Sequence, residues 1–153
     1  MTEVRQLVLE GVQIGFKNFR GEEGQYNRKG DRNFVIFLDH DLAKSLSDQG
    51  WNVKFPKVLD EPDEEDTRNP YLQVSIGEKG MPPKIVMVDE ENNNEVLLNF
   101  ETMDILDDTV IRYADAIIRP YHWAVNGNTG IKAYLKTLYA NIEPDVFGGK
   151  YSL

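Results

Sequence analysis

A chain of 153 residues with 41% apolar residues, 28% charged residues and no cysteine is sized and balanced for one globular domain. This excludes a disordered chain, a fibrous repeat, disulfide staples, zinc–thiolate sites and cysteine nucleophiles. The 17 bases and 26 acids sum to −9, but six acids fall in 60–66 and eight in 89–108, with no base in either segment, leaving 12 acids against all 17 bases elsewhere. The framework outside the two acidic blocks is therefore mildly basic, and screening limits the reach of a charge to about 8–10 Å, so an anionic ligand responds to that local field.

In chain order, Val12, Ile14 and Phe16 alternate with Gln13, Gly15 and Lys17, the period of a half-buried strand. Residues 18–31, rich in glycine, asparagine and bases, read as a long loop or open hairpin tip. Phe34-Val35-Ile36-Phe37-Leu38 is a continuous apolar run rich in β-formers and reads as a buried strand. Asp39 or Asp41 caps a short helix with Leu42, Ala43 and Leu46 on one side and Gly50 at its stop. Trp51 to Phe55 alternates and returns to strand. Residues 56–69, which contain the first acidic block, read as a mobile loop. Tyr71–Ile76 and Lys84–Val88 are strands joined by the turn-rich segment 77–83. Residues 101–106 read as a short helix with Phe100, Met103 and Leu106 inward. The strongest strand signal joins Ala114–Val125 to Ile131–Ile142 across Asn126-Gly127-Asn128-Thr129-Gly130, an Asn-Gly hairpin.

About six strands, mostly hairpin-connected, with one or two short helices predict a mainly β fold closed into a small antiparallel barrel, because closure removes exposed edges. An OB-fold matches that count and length, with residues 1–153 as a single domain and a short tail at 144–153. Phe16, Phe34, Phe37 and Phe55 are expected in its core.

Catalytic patterns are missing from the sequence. His40 and His122 stand in no metal-ligand spacing. The triplet Asp39-His40-Asp41 reads as a helix cap beside an exposed imidazole, since adjacent side chains diverge. The acids of 60–66 and 89–95 lack the spacing and glycine of a calcium loop. Phosphate-cradling and nucleophile-elbow motifs are absent. No nucleophile, base and orienting group assemble by inspection, so no enzyme activity, metal or cofactor is expected.

Binding chemistry is better represented. Residues 16–34 carry five bases, three acids and four aromatic rings; residues 119–139 carry Arg119, Lys132 and Lys136 without an acid, together with Tyr121, Trp123, Tyr134 and Tyr139. By period two, Arg119, Tyr121 and Trp123 share one face of a strand, and Tyr134 and Lys136 share one face of the next. A cation beside a flat ring suits an unpaired nucleic acid: the cation meets phosphate and the ring stacks a base. Duplex DNA offers no free base face. The predicted contacts are Arg20, Arg28, Lys29, Arg32, Lys54, Arg119, Lys132 and Lys136 to phosphates, and Tyr26, Trp51, Tyr121, Trp123 and Tyr134 to bases. Two other functions fit parts of this pattern, a β-domain for protein interaction or scaffolding and a metal-dependent nuclease built on the acidic blocks.

Phe19-Arg20-Gly21, Tyr26-Asn27, Gly30-Asp31-Arg32-Asn33-Phe34, Gly50-Trp51-Asn52-Val53-Lys54, Arg68-Asn69-Pro70-Tyr71-Leu72 and Ile118-Arg119-Pro120-Tyr121, followed by Trp123, Val125-Asn126-Gly127 and Gly130 to Lys136, form a set. Over roughly residues 10–143 this set resembles bacteriophage single-stranded-DNA-binding proteins with an OB-fold. The resemblance implies a non-enzymatic protein that coats single strands during phage replication and recombination, in the host cytoplasm. Its partners would be single-stranded DNA and phage replication or recombination proteins; there would be no membrane partner, and a homo-oligomer is left open. The sequence departs from many single-strand binders in ending Pro144 to Leu153 with one acid and one base. Recruitment of partners by an acidic tail is thus in doubt, and the acidic blocks could replace it.

Overall fold

The structure, a computed structural model, describes residues 6–25, 27–56, 69–77 and 82–143. Tyr26, residues 57–68 of the expected acidic loop and the tail at 144–153 lie outside the described residues. In order, the chain forms β1 (Leu7–Val12), β2 (Ile14–Asn18), β3 (Arg32–Phe37), α1 (His40–Asp48), β4 (Val53–Lys54), β5 (Tyr71–Ile76), β6 (Lys84–Asp89), β7 (Asn94–Leu98), a 3₁₀ helix (Met103–Asp108), β8 (Ile111–Val125) and β9 (Asn128–Ile142).

The last hairpin dominates the architecture. Asn126 and Gly127 have φ of 50° and 82°. Two successive positive values define the two-residue turn whose twist matches the flanking strands. The connection is therefore two residues long, not five, and β8 and β9 pair from Val125↔Asn128 back to Ile111↔Ile142. The hydrogen-bonded path runs β1-β8-β9-β5-β3-β2, with β4 on β5, β6 on β9 and β7 on β6. Its end strands, β1 and β2, are consecutive in the chain and separated only by Gln13, so covalent continuity joins ends that hydrogen bonds leave unclosed. Most pairs are antiparallel, as expected, but β5–β9 and β6–β9 are parallel. The result is an OB-like fold built on one mixed sheet.

Burial follows the apolar pattern. Phe34, Ile36, Leu72, Val74, Ile85, Ile118, Leu135 and Leu138 are enclosed. Phe19 stacks on Phe34 with centroids 5.2 Å apart and planes 12° from parallel. The α1 helix forms as its sequence dictates. Asp39 accepts a hydrogen bond from the Leu42 backbone N–H at 2.7 Å, satisfying one orphan donor of the first turn, while Ala43 and Leu46 are buried. The expected second helix is the 3₁₀ turn, with Met103 and Leu106 inward. Lys17 donates to the carbonyls of Leu106 and Thr109 at its C-terminal end. Burial lowers the Lys17 pKa below its usual value, and the charges of Asp107 and Asp108 act the other way.

The phenylalanine expectation needs correction. Between the pairs Gly15↔Val35 and Asn18↔Asn33, β2 carries one residue more than β3. Phe16 lies in this bulge at φ 42°, and the extra residue turns its ring out of the core, leaving it 71% exposed. Phe55 is also exposed and Phe37 is half-buried, so of the four rings assigned to the core only Phe34 is fully enclosed. Among the described residues no helix is long and apolar enough to cross a membrane.

Candidate nucleic-acid interface

From Ile118 to the hairpin tip successive side chains take opposite faces; β9 alternates between buried and outward residues, while His122, Ala124 and Val125 leave both faces of β8 open at the tip. Ile118, Ile131, Ala133 and Leu135 point inward and are buried. Arg119, Tyr121 and Trp123 on β8 and Lys132 and Tyr134 on β9 point outward together. Their register is Arg119↔Tyr134, Tyr121↔Lys132 and Trp123↔Gly130. Two successive cross-strand pairs thus each set a cation against a ring, in opposite order. Tyr121 and Tyr134 also meet diagonally, edge to face, at 5.9 Å, and the Lys132 ammonium lies 5.1 Å from the Tyr134 ring centroid. These contacts hold the rings without covering them: Tyr121 is 57% exposed. Trp123 lies against Gly130 so closely that a Cβ there would come within 2.5 Å of the indole.

Neighbouring strands extend this surface. Ser75 pairs with Tyr134 across the parallel β5–β9 contact, and Asn33 pairs with Ser75 across β3–β5. With Gln73, Lys54, Arg32 and the loop residues Asn27, Gly30 and Asp31, they line a groove of about 900 Å³. The loop is braced against its rim. The Asn27 amide donates to Glu22, Arg28 and Asp31 carbonyls, and Asn33 donates to Asn27 Oδ1 at 2.7 Å. The groove therefore combines flat rings, ammonium and guanidinium groups, side-chain amides and a hydroxyl, a set suited to phosphates, base faces and base edges at once.

Six of the sequence-predicted contacts meet there: Arg32, Lys54, Arg119, Tyr121, Lys132 and Tyr134. Trp123 occupies the next cross-strand position on the same face. Arg32 stands at the edge with its guanidinium engaged, donating to the Phe19 carbonyl at 2.9 Å, 3.5 Å from Asp104 and over the Phe100 ring. Arg20 is elsewhere, paired with Asp107 at 3.0 Å and Asp108 at 2.7 Å. Arg28 and Lys29 are exposed on the loop, and Lys29 lines a shallow depression with Arg20, Gly21, Glu22 and Glu23. Lys136 is exposed and donates to Gln6 at 2.7 Å. Trp51 corrects the sequence reading, since its ring is 3% exposed within the core and presents no face for stacking. Sequence reasoning missed Asn33, Gln73 and Ser75, which carry neither charge nor ring. The alternation of Gln73 and Ser75 with Leu72, Val74 and Ile76 was the available signal.

The second acidic block is engaged locally. Asp104, Asp107 and Asp108 face Arg20 or Arg32, while Glu91 pairs with Arg112 and Glu90 accepts from Tyr113. Arg112 lies seven residues before Arg119 on β8, roughly 23 Å along the strand. Much of this negative charge is thus spent on structural pairs or held far from the groove.

A family model described as "Putative phage ssDNA-binding domain" matches residues 1–153. The chain belongs to that family, in agreement with the resemblance carried by its sequence. None of the curated proteins matches it. Among solved structures it is similar to the single-stranded DNA-binding protein from bacteriophage Enc34 in complex with ssDNA, at 11% identity and TM-score 0.58 over 97% of each chain. It is similar also to a C-terminal truncation of that protein, at 12% identity and TM-score 0.55 over 95% of this chain and 94% of the other. A third similar structure is the Enc34 protein itself, at 12% identity and TM-score 0.54 over 100% of this chain and 94% of the other.

Proposed function

We infer that this protein binds single-stranded DNA in the β3–β5–β9 groove, with little sequence preference, and that it does so without catalysis. The observation that supports this most directly is the pair of opposed cation–ring rungs, Arg119↔Tyr134 and Tyr121↔Lys132, facing solvent beside a polar trough. A base stacks on an exposed ring whatever its identity, and each neighbouring cation takes a phosphate. Arg119, Lys132 and Lys54 contact phosphates; Tyr121, Tyr134 and Trp123 stack bases; Asn33, Gln73 and Ser75 hydrogen-bond whatever edge they meet. Arg28 and Lys29 add charge from the loop. The role that goes with this activity is the coating of single strands during phage replication and recombination in the host cytoplasm, a reading that membership of a phage ssDNA-binding family supports.

Titration of a fluorescently labelled single-stranded oligomer, with duplex competitor and a salt series, tests the reading. The expected result is saturable binding that duplex displaces poorly and that weakens steeply with salt, with the labelled strand left intact when magnesium is added. Equal competition by duplex, or cleavage of the strand, would overturn it.

A further inference from the structure

The exposed ring of Phe16 has no role in the groove described above, yet the chain holds it out at a conformational cost. A bulky residue at φ 42° is a backbone outlier, and such outliers persist where the surrounding structure over-determines them. Here the bulge places Phe16 beside two other rings on the outer face. Its centroid is 6.0 Å from Phe37 and 6.0 Å from Tyr71, and those two are 6.4 Å apart. Phe37 is seated on Gly15, where a Cβ would come within 2.6 Å of its ring. Three aromatic side chains from three strands thus form one solvent-facing cluster.

Register fixes where this cluster sits. Phe37↔Tyr71, Val35↔Gln73 and Asn33↔Ser75 are successive same-face pairs of β3 and β5. Ser75 and Gln73 line the groove, so Tyr71 comes two residues beyond Gln73 on the same face, about 7 Å further along the strand. Lys54, itself a groove residue, lies directly opposite Tyr71. A cation therefore stands at the junction of groove and ring cluster, repeating the cation-beside-ring arrangement of the hairpin.

We propose that Phe16, Phe37 and Tyr71 form a second base-stacking platform, which takes a nucleotide of a single strand after it leaves the groove past Lys54. Phe16 supplies the open face, and Phe37 and Tyr71 hold it. The occupant is nucleic acid because the cluster is continuous with the cationic groove and shares a lysine with it. This proposal rests on the single-strand reading of the groove.

Affinity as a function of strand length tests it. Oligothymidylates running from a length that only fills the groove to several nucleotides longer are titrated by fluorescence anisotropy against wild type, Phe16→Gly and Phe16→Trp. Glycine accepts a positive φ, so Phe16→Gly relieves the backbone strain, and its melting temperature should hold or rise. The wild type should gain affinity on lengthening. Phe16→Gly should lose about tenfold of that gain, while Phe16→Trp should keep it and show extra emission quenching with long strands only. A Phe16→Gly protein with the full wild-type gain, or no added quenching in Phe16→Trp, overturns the platform and leaves the groove reading standing. Absence of binding by the wild type at every length overturns both.

Discussion

Tyr121 and Tyr134 lean on each other edge to face across the β8–β9 hairpin, 5.9 Å between centroids and 77° between planes. The contact is diagonal, since each ring has a cation as its direct cross-strand neighbour. Aromatic pairs of this geometry are worth roughly 0.5–1.5 kcal/mol beyond the area they bury. Each ring therefore orders the other in the position where a base would stack.

Replacing either tyrosine with alanine should raise the Kd for single-stranded DNA about tenfold, as expected for one stacking contact of ~1–3 kcal/mol. The double variant should lose less than the sum, because removing one ring already loosens the other. Isothermal titration of the two single variants and the double variant measures this. Strict additivity would show that the edge-to-face contact does not position the rings.

The steepness of the salt dependence should count the cations that the strand meets. Lys54, Arg119 and Lys132 line the groove, while the Arg32 guanidinium is engaged by Phe19 and Asp104. Each neutralised phosphate on a single strand contributes roughly 0.7 to the slope of log K against log salt, so these three cations give about −2, and the loop's Arg28 and Lys29 steepen it to about −3.5 when both meet phosphate. Lys132→Gln should flatten it by ~0.7. It should also free the Tyr134 ring, over which the ammonium now lies at 5.1 Å. A slope unaltered by Lys132→Gln would remove that lysine from the phosphate path.

Arg20 is predicted to act on folding and not on affinity. Asp107 accepts from the Phe19 backbone N–H at 2.8 Å, from the Arg20 backbone N–H at 3.0 Å and from the Arg20 side chain at 3.0 Å. Asp107→Ala strips acceptors from two backbone donors and should cost about 2 kcal/mol, lowering the melting temperature by roughly 4–8 °C. Arg20→Ala should lower it less, because the guanidinium is partly exposed, and should leave the salt slope untouched. Calorimetry paired with the binding series decides the matter; a flattened slope in Arg20→Ala would return this arginine to the phosphate path.

What the sequence made legible was governed by period. The hairpin face emerged correctly because Arg119, Tyr121 and Trp123 alternate with residues that bury or turn away, and Asn126-Gly127 fixes the register. Asp39 and Gly50 bracketed α1 for the same local reason. The failures come from places where period is interrupted, uninformative or set aside. Phe16 obeys the alternation of Val12 and Ile14 until one extra residue in β2 reverses its side, and a bulge leaves no mark in a hydrophobic pattern. Trp51 stands on the apolar side of its alternating segment with Val53, opposite Asn52 and Lys54, and its isolated bridge to Ile131, a tertiary pairing 80 residues away, seats it in the core, so its ring type pointed to stacking where its phase pointed inward. The ion pairs of Arg20 left no mark in the sequence either, because Asp107 and Asp108 lie in an acidic block that reads as a solvated surface. The strand β7 was hidden in that same block: four of its five residues are exposed, and its apolar residues Val96-Leu97-Leu98 run together without alternating.

Fluorescence separates the two tryptophans. Trp51 is enclosed in the core and should emit in the blue without responding to DNA. Trp123 is half-buried against Gly130 at the hairpin tip and should be quenched as a base stacks on it. Trp123→Phe should therefore abolish the quenching while retaining the folded core. Gly130→Ala offers a second handle, since a methyl group would come within 2.5 Å of the indole and must push it aside. That variant should shift the emission to the red before DNA is added and weaken binding several-fold, because a displaced ring no longer presents its face beside Tyr121. If quenching survives Trp123→Phe, the base must reach Trp51. The core around Ile131 would then have to open on binding, and the rigid-groove account would give way to one in which the sheet parts for the strand.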